Sequence, residues 1–249
     1  MACSVLDASA ARIVEQLPDD ALVLDVGGWG SPFERADWVL DLLPYETRGL
    51  YGYDRATAVE RFTAQTWIQR DICDHEPWPF DDGQFDFAVC SQTLEDLRDP
   101  IWVCRELQRV ARAGYIECPS REEEQSWGVH GAWVGWSHHR WLVDVVESRL
   151  RFAFKPAVLH ARDHFPSGHA STLDETKRVV MLWWEDSFDA EELQFVEPED
   201  LHRYLRAIDD NDELVGSTPA PNSAAVGLGD RGRSALKRRY QELRARVER

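Results

Sequence analysis

The sequence predicts an α/β fold built on a doubly wound, mostly parallel sheet of seven strands with helices on both faces. Short apolar runs alternate along the chain with segments whose apolar residues recur at helical spacing. The first of these runs leads directly into glycines, as a buried parallel strand does. At 249 residues the chain is long enough for one large domain with a substantial core.

The first half of the chain supplies one helix and four strands. Residues 4–16 show an amphipathic pattern that ends before Pro18, which predicts the first helix. Strands are predicted at residues 21–26, 38–41, 66–70 and 85–90. Only residues 31–37 separate the glycine turn from the second strand, so a helix between them has to be very short.

The second half continues the alternation. A helix is predicted at residues 98–112, followed by a strand at 114–118 that ends at Pro119. Another helix is predicted at residues 139–150, with one apolar face formed by Leu142, Val145, Val146 and Leu150. Two later strands, at 151–154 and 178–183, complete the sheet. Strands that alternate with helices in this way predict a Rossmann-like architecture.

The composition divides the chain into a domain at residues 1–208, a linker at 209–229 and a basic amphipathic helix at 230–249. The linker is rich in Asp, Asn, Gly, Ser, Pro and Ala. Residues 231–249 hold eight Lys or Arg against two Glu, a formal charge of +6, which leaves −23 on the rest. We expect this tail to contact the acidic body or a second copy of the chain rather than RNA or a membrane.

Several classes of protein are disfavoured by composition. The net charge of −17 argues against a broad nucleic-acid surface, because phosphates would be repelled. No apolar run approaches the ~20 residues that span a bilayer, and the first residues do not resemble a secretion signal. Five scattered cysteines form no C-x-x-C pair, which argues against a disulfide framework. A cytoplasmic protein without membrane or nucleic-acid partners is the expectation.

Groups suited to ligand binding follow four of the predicted strands. Asp25 and a glycine turn at residues 27–30 end the first strand, Asp41 ends the second, and Asp71 with Ile72 ends the third. A polar turn at residues 90–97 ends the fourth. Each feature alone is common in turns. Together they would meet at the carboxyl edge of the sheet, where such folds bind ligands.

The same residues carry a resemblance to class I S-adenosylmethionine-dependent methyltransferases, in particular the small-molecule methyltransferase-11 type. Residues 23–28, VLDVGG, resemble the first motif of that family. Residues 79–100, PFDDGQFDFAVCSQTLEDLRDP, are similar to its pattern PFPDNSFDLVLCSHVLEHLEDP. The resemblance covers about residues 20–120. It implies S-adenosylmethionine as cofactor and a small molecule as methyl acceptor.

The resemblance also implies roles for individual residues. Asp25, Gly27, Gly28 and Gly30 would surround the methionine part of the cofactor. Asp41 would hold the ribose and Asp71 with Ile72 the adenine, while Ser91 and Gln92 would lie beside the sulfonium. The chain departs from the D-x-G-x-G-x-G pattern of the family, because Trp29 and Ser31 occupy the second and third glycine positions.

The acceptor site is predicted in residues 126–141, which contain four tryptophans and three histidines. Trp127, Trp133 and Trp136 would offer flat faces to an aromatic or sugar ring, and Arg140 would bind an anionic group. His138 or His139 would be the base, since imidazole titrates near neutral pH. The alternative is a tryptophan-rich loop that only plugs the end of the sheet.

No metal site is predicted. His160 and His164 have the i, i+4 spacing of a helical metal pair, but Pro166 and Gly168 indicate a loop.

The sequence thus favours methyl transfer from S-adenosylmethionine to a small polar or glycosylated metabolite. O-methylation by direct in-line displacement is preferred, because a histidine base is available. A non-catalytic scaffold on the same fold and a nicotinamide-dependent oxidoreductase remain as alternatives. The oxidoreductase is disfavoured, because this sequence lacks two glycines of the dinucleotide-binding motif and its short first helix leaves little room for a pyrophosphate.

Overall fold

The computed structural model describes residues 5–50 and 53–208 of the chain. The first part contains the elements α1 (Asp7–Gln16), β1 (Val23–Val26), β2 (Trp38–Asp41), β3 (Trp67–Gln69), β4 (Phe87–Ser91), α2 (Pro100–Val110) and β5 (Ala113–Pro119). The second part contains α3 (Arg121–Glu124), β6 (Trp141–Val146), β7 (Arg149–Phe154), β8 (Val179–Glu185), β9 (Asp189–Leu193) and α4 (Pro198–Arg206).

The main sheet has six strands in the order β3-β2-β1-β4-β5-β8. Strands β1 to β5 are parallel, and β8 pairs antiparallel with β5 at one edge. The chain winds outward from β1 to β3 and then returns across the sheet to β4. This reversal opens a crevice between the carboxyl ends of β1 and β4, which is where open α/β sheets bind ligands.

Alternation of side chains along the strands gives the sheet two buried faces, and a helix covers each. On one face Ile13 of α1 packs in a cluster with Val23 and Val39. On the other face Leu107 of α2 packs in a cluster with Leu24. The α/β prediction with helices on both faces is therefore confirmed.

The α2 helix begins where the sequence provides a cap. The Asp99 carboxylate accepts a hydrogen bond from the Trp102 N–H at 2.9 Å, and Pro100 occupies the first turn, where no N–H is needed. The helix thus starts at a fixed position immediately after the polar segment that follows β4.

The helix predicted at residues 139–150 is wrong: this segment forms β6, a two-residue turn and the start of β7. Residues Val146 and Arg149 face each other across the turn, and both Glu147 and Ser148 have positive φ, at 50° and 63°. Positive φ at both central positions is typical of a type I′ hairpin turn. The preference of valine for strands overrode an apolar spacing that also fits a helix.

The prediction of seven strands in one sheet is also wrong. The predicted strand at residues 151–154 belongs to β7, which lies in a separate three-stranded sheet of order β6-β7-β9. One face of this sheet, with Phe152, joins the main core, while Leu142 packs with Leu205 of α4 on the other face. No helix forms at residues 31–37, the segment that follows the glycine turn.

The linker predicted at residues 209–229 and the basic helix predicted at 230–249 lie outside the described residues. Across residues 5–50 and 53–208, no helix combines the length and the apolar character that crossing a membrane requires.

Candidate functional site

A cavity of about 340 Å³ opens at the carboxyl edge of the main sheet. Its volume falls in the range of small-molecule sites, about 300–1,000 Å³. Every residue predicted to bind the cofactor lines it, as do both predicted bases: Asp25, Gly27, Gly28, Gly30, Asp41, Asp71, Ile72, Ser91, Gln92, His138 and His139. The structure therefore brings together the ends of β1, β2 and β4, the residues after β3 and one distant loop.

The glycine turn after β1 lies too close to its neighbours to carry side chains. Gly27 has φ +81°, and a Cβ atom there would lie 2.2 Å from the Thr93 hydroxyl oxygen. A Cβ atom on Gly28 would lie 2.0 Å from a carboxylate oxygen of Asp25. The turn thus passes directly against the segment after β4, with bare backbone facing the cavity.

Asp25 fixes the chain that follows this turn. One of its carboxylate oxygens accepts a hydrogen bond from the Phe33 N–H at 2.8 Å. The side chain is buried, and burial, together with the nearby Asp41 carboxylate, raises the pKa of Asp25 to about 7. Asp25 therefore holds residues 27–33 in place along one wall of the cavity.

Asp41, at the end of β2, also binds backbone. Its two oxygens accept hydrogen bonds from the Trp29 N–H at 3.0 Å and the Leu43 N–H at 2.8 Å. Burial raises the pKa of this carboxyl group against the opposing effect of these bonds. A carboxylate offers about four acceptor positions, and the Leu42 backbone also approaches this one, so at least one position remains for a ligand.

Trp29 stands where the related pattern has a glycine, and it forms part of the cavity wall. Its indole N–H donates to the Thr47 hydroxyl at 3.0 Å, which turns the ring toward the residues after β2. The cavity remains open beside this ring.

The segment after β3 offers one acceptor and one apolar side chain. Asp71 accepts from the Cys73 N–H at 2.9 Å and pairs with Arg98 at 2.8 Å. Ile72 is buried in the main core and also reaches the cavity. This combination can accept a hydrogen bond from a flat ring and cover its face.

Ser91 and Gln92, at the end of β4, both form hydrogen bonds with Glu117 of the neighbouring strand β5. The Glu117 carboxylate accepts from the Ser91 hydroxyl at 3.3 Å and from the Gln92 side-chain amide at 3.1 Å. Gln92 itself has φ +50°, an uncommon conformation for a residue with a side chain. Glu117 was not predicted as a site residue, although a glutamate inside an apolar strand is a recognisable signal.

The far end of the cavity is polar. Glu95 and Asp96 meet His138 and His139 there, with His139 Nε2 4.0 Å from a Glu95 oxygen and 3.9 Å from an Asp96 oxygen. Glu95 is 1% exposed, and neither of its carboxylate oxygens has a hydrogen-bond partner among the described residues. Burial raises the pKa of Glu95 to about 8.

His139 is oriented by a buried ion pair. Its Nδ1 lies 2.7 Å from one oxygen of Glu124, and the other oxygen of Glu124 accepts from Lys155 at 2.7 Å. In the neutral ring the carboxylate keeps the proton on Nδ1, so the Nε2 lone pair faces the cavity. Burial lowers the pKa of His139, but the Glu124 hydrogen bond and the nearby carboxylates together raise it by more, so the net shift of the pKa is upward.

His138 is the more exposed of the two histidines. Its Nε2 lies 3.9 Å from the second Asp96 oxygen, and burial lowers its pKa.

The predicted acceptor-binding residues lie outside the cavity wall. Trp136 stacks on the His139 ring, with centroids 5.7 Å apart. Trp127 packs against the cluster around Leu142, and Trp133 is about half exposed. The Arg140 side chain is exposed, while its backbone N–H donates to the Glu95 carbonyl at 2.7 Å. The role of these residues in acceptor binding stays a prediction.

Four charged residues that the sequence did not single out complete the polar end. Glu95 and Asp96 belong to the polar turn after the fourth strand, so their position was available from the sequence. Glu124 and Lys155 were not, because they come from α3 and from the end of β7, and only the fold brings them beside His139.

We expect Gly27→Ala to destabilise the protein and to abolish ligand binding in the cavity. The new methyl group would overlap the Thr93 side chain, and the alanine would have to adopt a positive φ. Together these effects should lower the free energy of unfolding by more than about 2 kcal/mol. Gly168→Ala is the matched control, because Gly168 also has positive φ, +88°, but has no atom within 4 Å of the added Cβ. Urea unfolding midpoints compare the two, and equal losses would contradict the close approach.

Comparison with known proteins gives one family match. Residues 43–116 match the model of the methyltransferase-11 family, described as a methyltransferase domain. The match runs from just after β2 into β5, and it confirms the resemblance for residues 43–116, which include the pattern at 79–100 but not the glycine turn or Asp41. No curated protein matches the chain significantly.

Several solved structures are similar to part of the chain. The YcgJ protein of Bacillus subtilis is 18% identical over 46% of this chain and 52% of its own, with a TM-score of 0.36. A SAM-dependent methyltransferase of Aquifex aeolicus is 19% identical over 46% and 65%, with a TM-score of 0.34. An arsenic(III) S-adenosylmethionine methyltransferase of Chlamydomonas reinhardtii is 16% identical over 45% and 49%, with a TM-score of 0.31. The matched region therefore spans about half to two thirds of those chains.

Proposed function

We propose that the cavity binds S-adenosylmethionine, the cofactor that the resemblance to class I methyltransferases implies, and transfers its methyl group to a small polar acceptor. The observation that carries the proposal is the convergence of the glycine turn, Asp41 and Asp71 on one cavity. These groups are far apart in the sequence, and each has the chemistry that one part of the cofactor requires.

The proposed orientation follows from the order of these groups along the sheet edge. Asp41 accepts from the ribose hydroxyls with its free acceptor positions, and Asp71 with Ile72 binds the adenine ring. The methionine part lies along the bare backbone of the glycine turn. The sulfonium then lies near Ser91 and Gln92, on the side of the polar end.

The proposed reaction is a direct displacement. An oxygen of the acceptor attacks the methyl carbon, the carbon–sulfur bond breaks, and its electron pair stays on sulfur to give S-adenosylhomocysteine. The protein chiefly has to align the nucleophile behind the electrophilic methyl group. The acceptor proton leaves to the histidine cluster, where the Nε2 lone pair of His139 faces the cavity.

O-methylation is favoured by this arrangement, because a hydroxyl group keeps its proton at neutral pH and gains most from its removal. The polar end suits a small hydroxylated acceptor, since the side-chain oxygens of Glu95 and Asp96 can accept hydrogen bonds from hydroxyl groups. Trp136 is proposed to support the acceptor through His139, on which it stacks. Contacts from Trp127, Trp133 and Arg140 would require the loop at residues 126–141 to move toward the cavity.

A calorimetric titration with S-adenosylmethionine, S-adenosylhomocysteine and NAD tests the proposal. We expect the two sulfur compounds to bind once per chain and NAD not to bind. Binding of NAD alone would instead favour the oxidoreductase. If none of the three binds to the folded chain, the fold serves as a non-catalytic scaffold and the proposal is wrong.

A further inference from the structure

Three side chains at the polar end of the cavity bring possible metal-ligand atoms close together. Asp96, His138 and His139 each place one such atom within 4.8 Å of the other two. The Asp96 oxygens lie 3.9 Å from His138 Nε2 and 3.9 Å from His139 Nε2. These distances are too long for hydrogen bonds. They are shorter than about 4.2 Å, the largest separation of two ligands that each bind one ion at about 2.1 Å.

Glu95 provides an independent indication that a ligand belongs there. It is 1% exposed and lines the same cavity, with one oxygen 4.0 Å from His139 Nε2. Within the described part of the chain, neither Glu95 oxygen nor Asp96 Oδ1 has a hydrogen-bond partner. Only weak interactions reach the Glu95 carboxyl group, from the buried thiol of Cys118 and from the backbone N–H of Glu95 itself. Buried carboxylate oxygens without partners are costly unless a cation or donor reaches them.

The surroundings of His139 match those of a metal-bound histidine. Its Nδ1 is held by the fully buried Glu124 at 2.7 Å, and Lys155 holds Glu124 in turn at 2.7 Å. Histidines that bind metals commonly donate the other ring N–H to a carboxylate in this way, which leaves the Nε2 lone pair for the ion. The His138 side chain is about half exposed, so its ring is free to rotate toward the ion without a partner that orients it.

We propose that Asp96, His138 and His139, with Glu95 as a further ligand, bind a divalent transition-metal ion. Two imidazole nitrogens and carboxylate oxygens suit Zn²⁺ and its first-row neighbours, whereas Mg²⁺ prefers oxygen ligands alone. Two ligand atoms of a tetrahedral ion lie about 3.4 Å apart, so the side chains have to approach one another by about 0.5 Å or more, which the exposed His138 can provide in part.

The catalytic consequence rests on the proposed methyl transfer. A metal ion and a proton compete for the same lone pair of His139, so with the ion bound the acceptor proton would leave to solvent water instead of to His139. A hydroxyl group bound to a divalent ion loses its proton more readily than a free one. The ion also replaces the acceptor-side contacts that the tryptophans were predicted to make.

Zn²⁺ titration of the full chain, stripped of metals by a chelator, tests the site by calorimetry, with Mg²⁺ as the comparison ion. We expect one Zn²⁺ per chain and no detectable Mg²⁺ binding. Asp96→Asn and His138→Ala should each weaken Zn²⁺ binding more than about tenfold, because each removes one ligand. Both side chains are partly exposed, so neither change removes a buried contact.

His160→Ala is the matched control, because His160 belongs to the other histidine pair of the chain and lies outside the cavity. It should bind Zn²⁺ as the unchanged protein does. Equal Zn²⁺ affinity in Asp96→Asn, His138→Ala and the unchanged protein would overturn the site. Titration of the same proteins with S-adenosylhomocysteine separates the two proposals. If they bind S-adenosylhomocysteine but the variants do not change the Zn²⁺ affinity, the metal site alone is refuted. If the unchanged protein binds Zn²⁺ but not S-adenosylhomocysteine, the cofactor proposal alone is refuted.

Discussion

His139→Ala is expected to lower the rate of methyl transfer by about 10²–10⁴-fold, the usual contribution of a positioned proton acceptor. Cofactor affinity should not change, because the proposed cofactor contacts lie at the other end of the cavity. We expect the same loss of rate whether the Nε2 lone pair accepts the acceptor proton itself or binds an ion that helps the acceptor to lose this proton. The rate is measured as S-adenosylhomocysteine formation, with the best acceptor from a panel of phenols, polyols and sugars.

The control for this variant has to separate chemistry from folding. Glu124 is fully buried, and in His139→Ala it keeps its ion pair with Lys155, so we expect the fold to persist. His75→Ala, a change at an exposed histidine outside the cavity, should leave the rate unchanged. A His139→Ala protein that turns over as fast as the unchanged chain would show that proton removal occurs elsewhere.

Asp41→Ala is expected to weaken binding of S-adenosylhomocysteine by about 100-fold or more. Each hydrogen bond from a ribose hydroxyl to a charged acceptor contributes about 1.5 kcal/mol or more, and each 1.4 kcal/mol corresponds to a tenfold change. The carboxylate also accepts from the Trp29 and Leu43 N–H groups, so its loss loosens the wall beside the ribose. Calorimetric titration gives the affinity.

Asp41→Asn is the matched variant, because the amide keeps the shape and one acceptor oxygen but loses the charge. We expect it to bind more weakly than the unchanged chain and more tightly than Asp41→Ala. Urea unfolding of both variants shows whether the fold is retained. A folded Asp41→Ala protein with unchanged affinity would remove Asp41 from the cofactor site.

The strands that build the cofactor side of the cavity could be predicted from the sequence. Three of them, β1, β2 and β4, are largely buried, so each is a short apolar run that ends in a polar residue or a glycine turn. The predicted strand at residues 38–41 coincides with β2, and those at 21–26 and 85–90 overlap β1 and β4. Since parallel strands end at one edge, the residues that follow them meet without any further information.

The region after β5 could not be predicted in the same way. The hairpin of β6 and β7 turns at Glu147 and Ser148, which lack the Asn or Gly that usually marks such a turn. Without that signal, the spacing of Leu142, Val145 and Val146 fits a helix. The pairing of β7 with β9 is also non-local, and no single segment carries it.

Only some residues at the polar end of the cavity could be predicted, because the others depend on non-local packing. His138 and His139 stand out in the sequence, and Glu95 and Asp96 follow β4. The ion pair of Glu124 with Lys155 joins residues 31 positions apart in two different elements. Only the packing of β6 and β7 against the main core brings that pair to His139.

The basic segment at residues 231–249 lies outside the described residues, and its contact with an acidic surface or a second copy stays a prediction. It does not enter the account of the cavity, whose lining residues all lie between Val5 and His139.

A crystal structure of the chain with S-adenosylhomocysteine tests the central claim most directly. We expect the ribose on the Asp41 carboxylate, the adenine beside Asp71 and Ile72, and the sulfur turned toward the polar end at His139. An S-adenosylhomocysteine molecule bound in another cavity, or one with its adenine against the histidines, would contradict it.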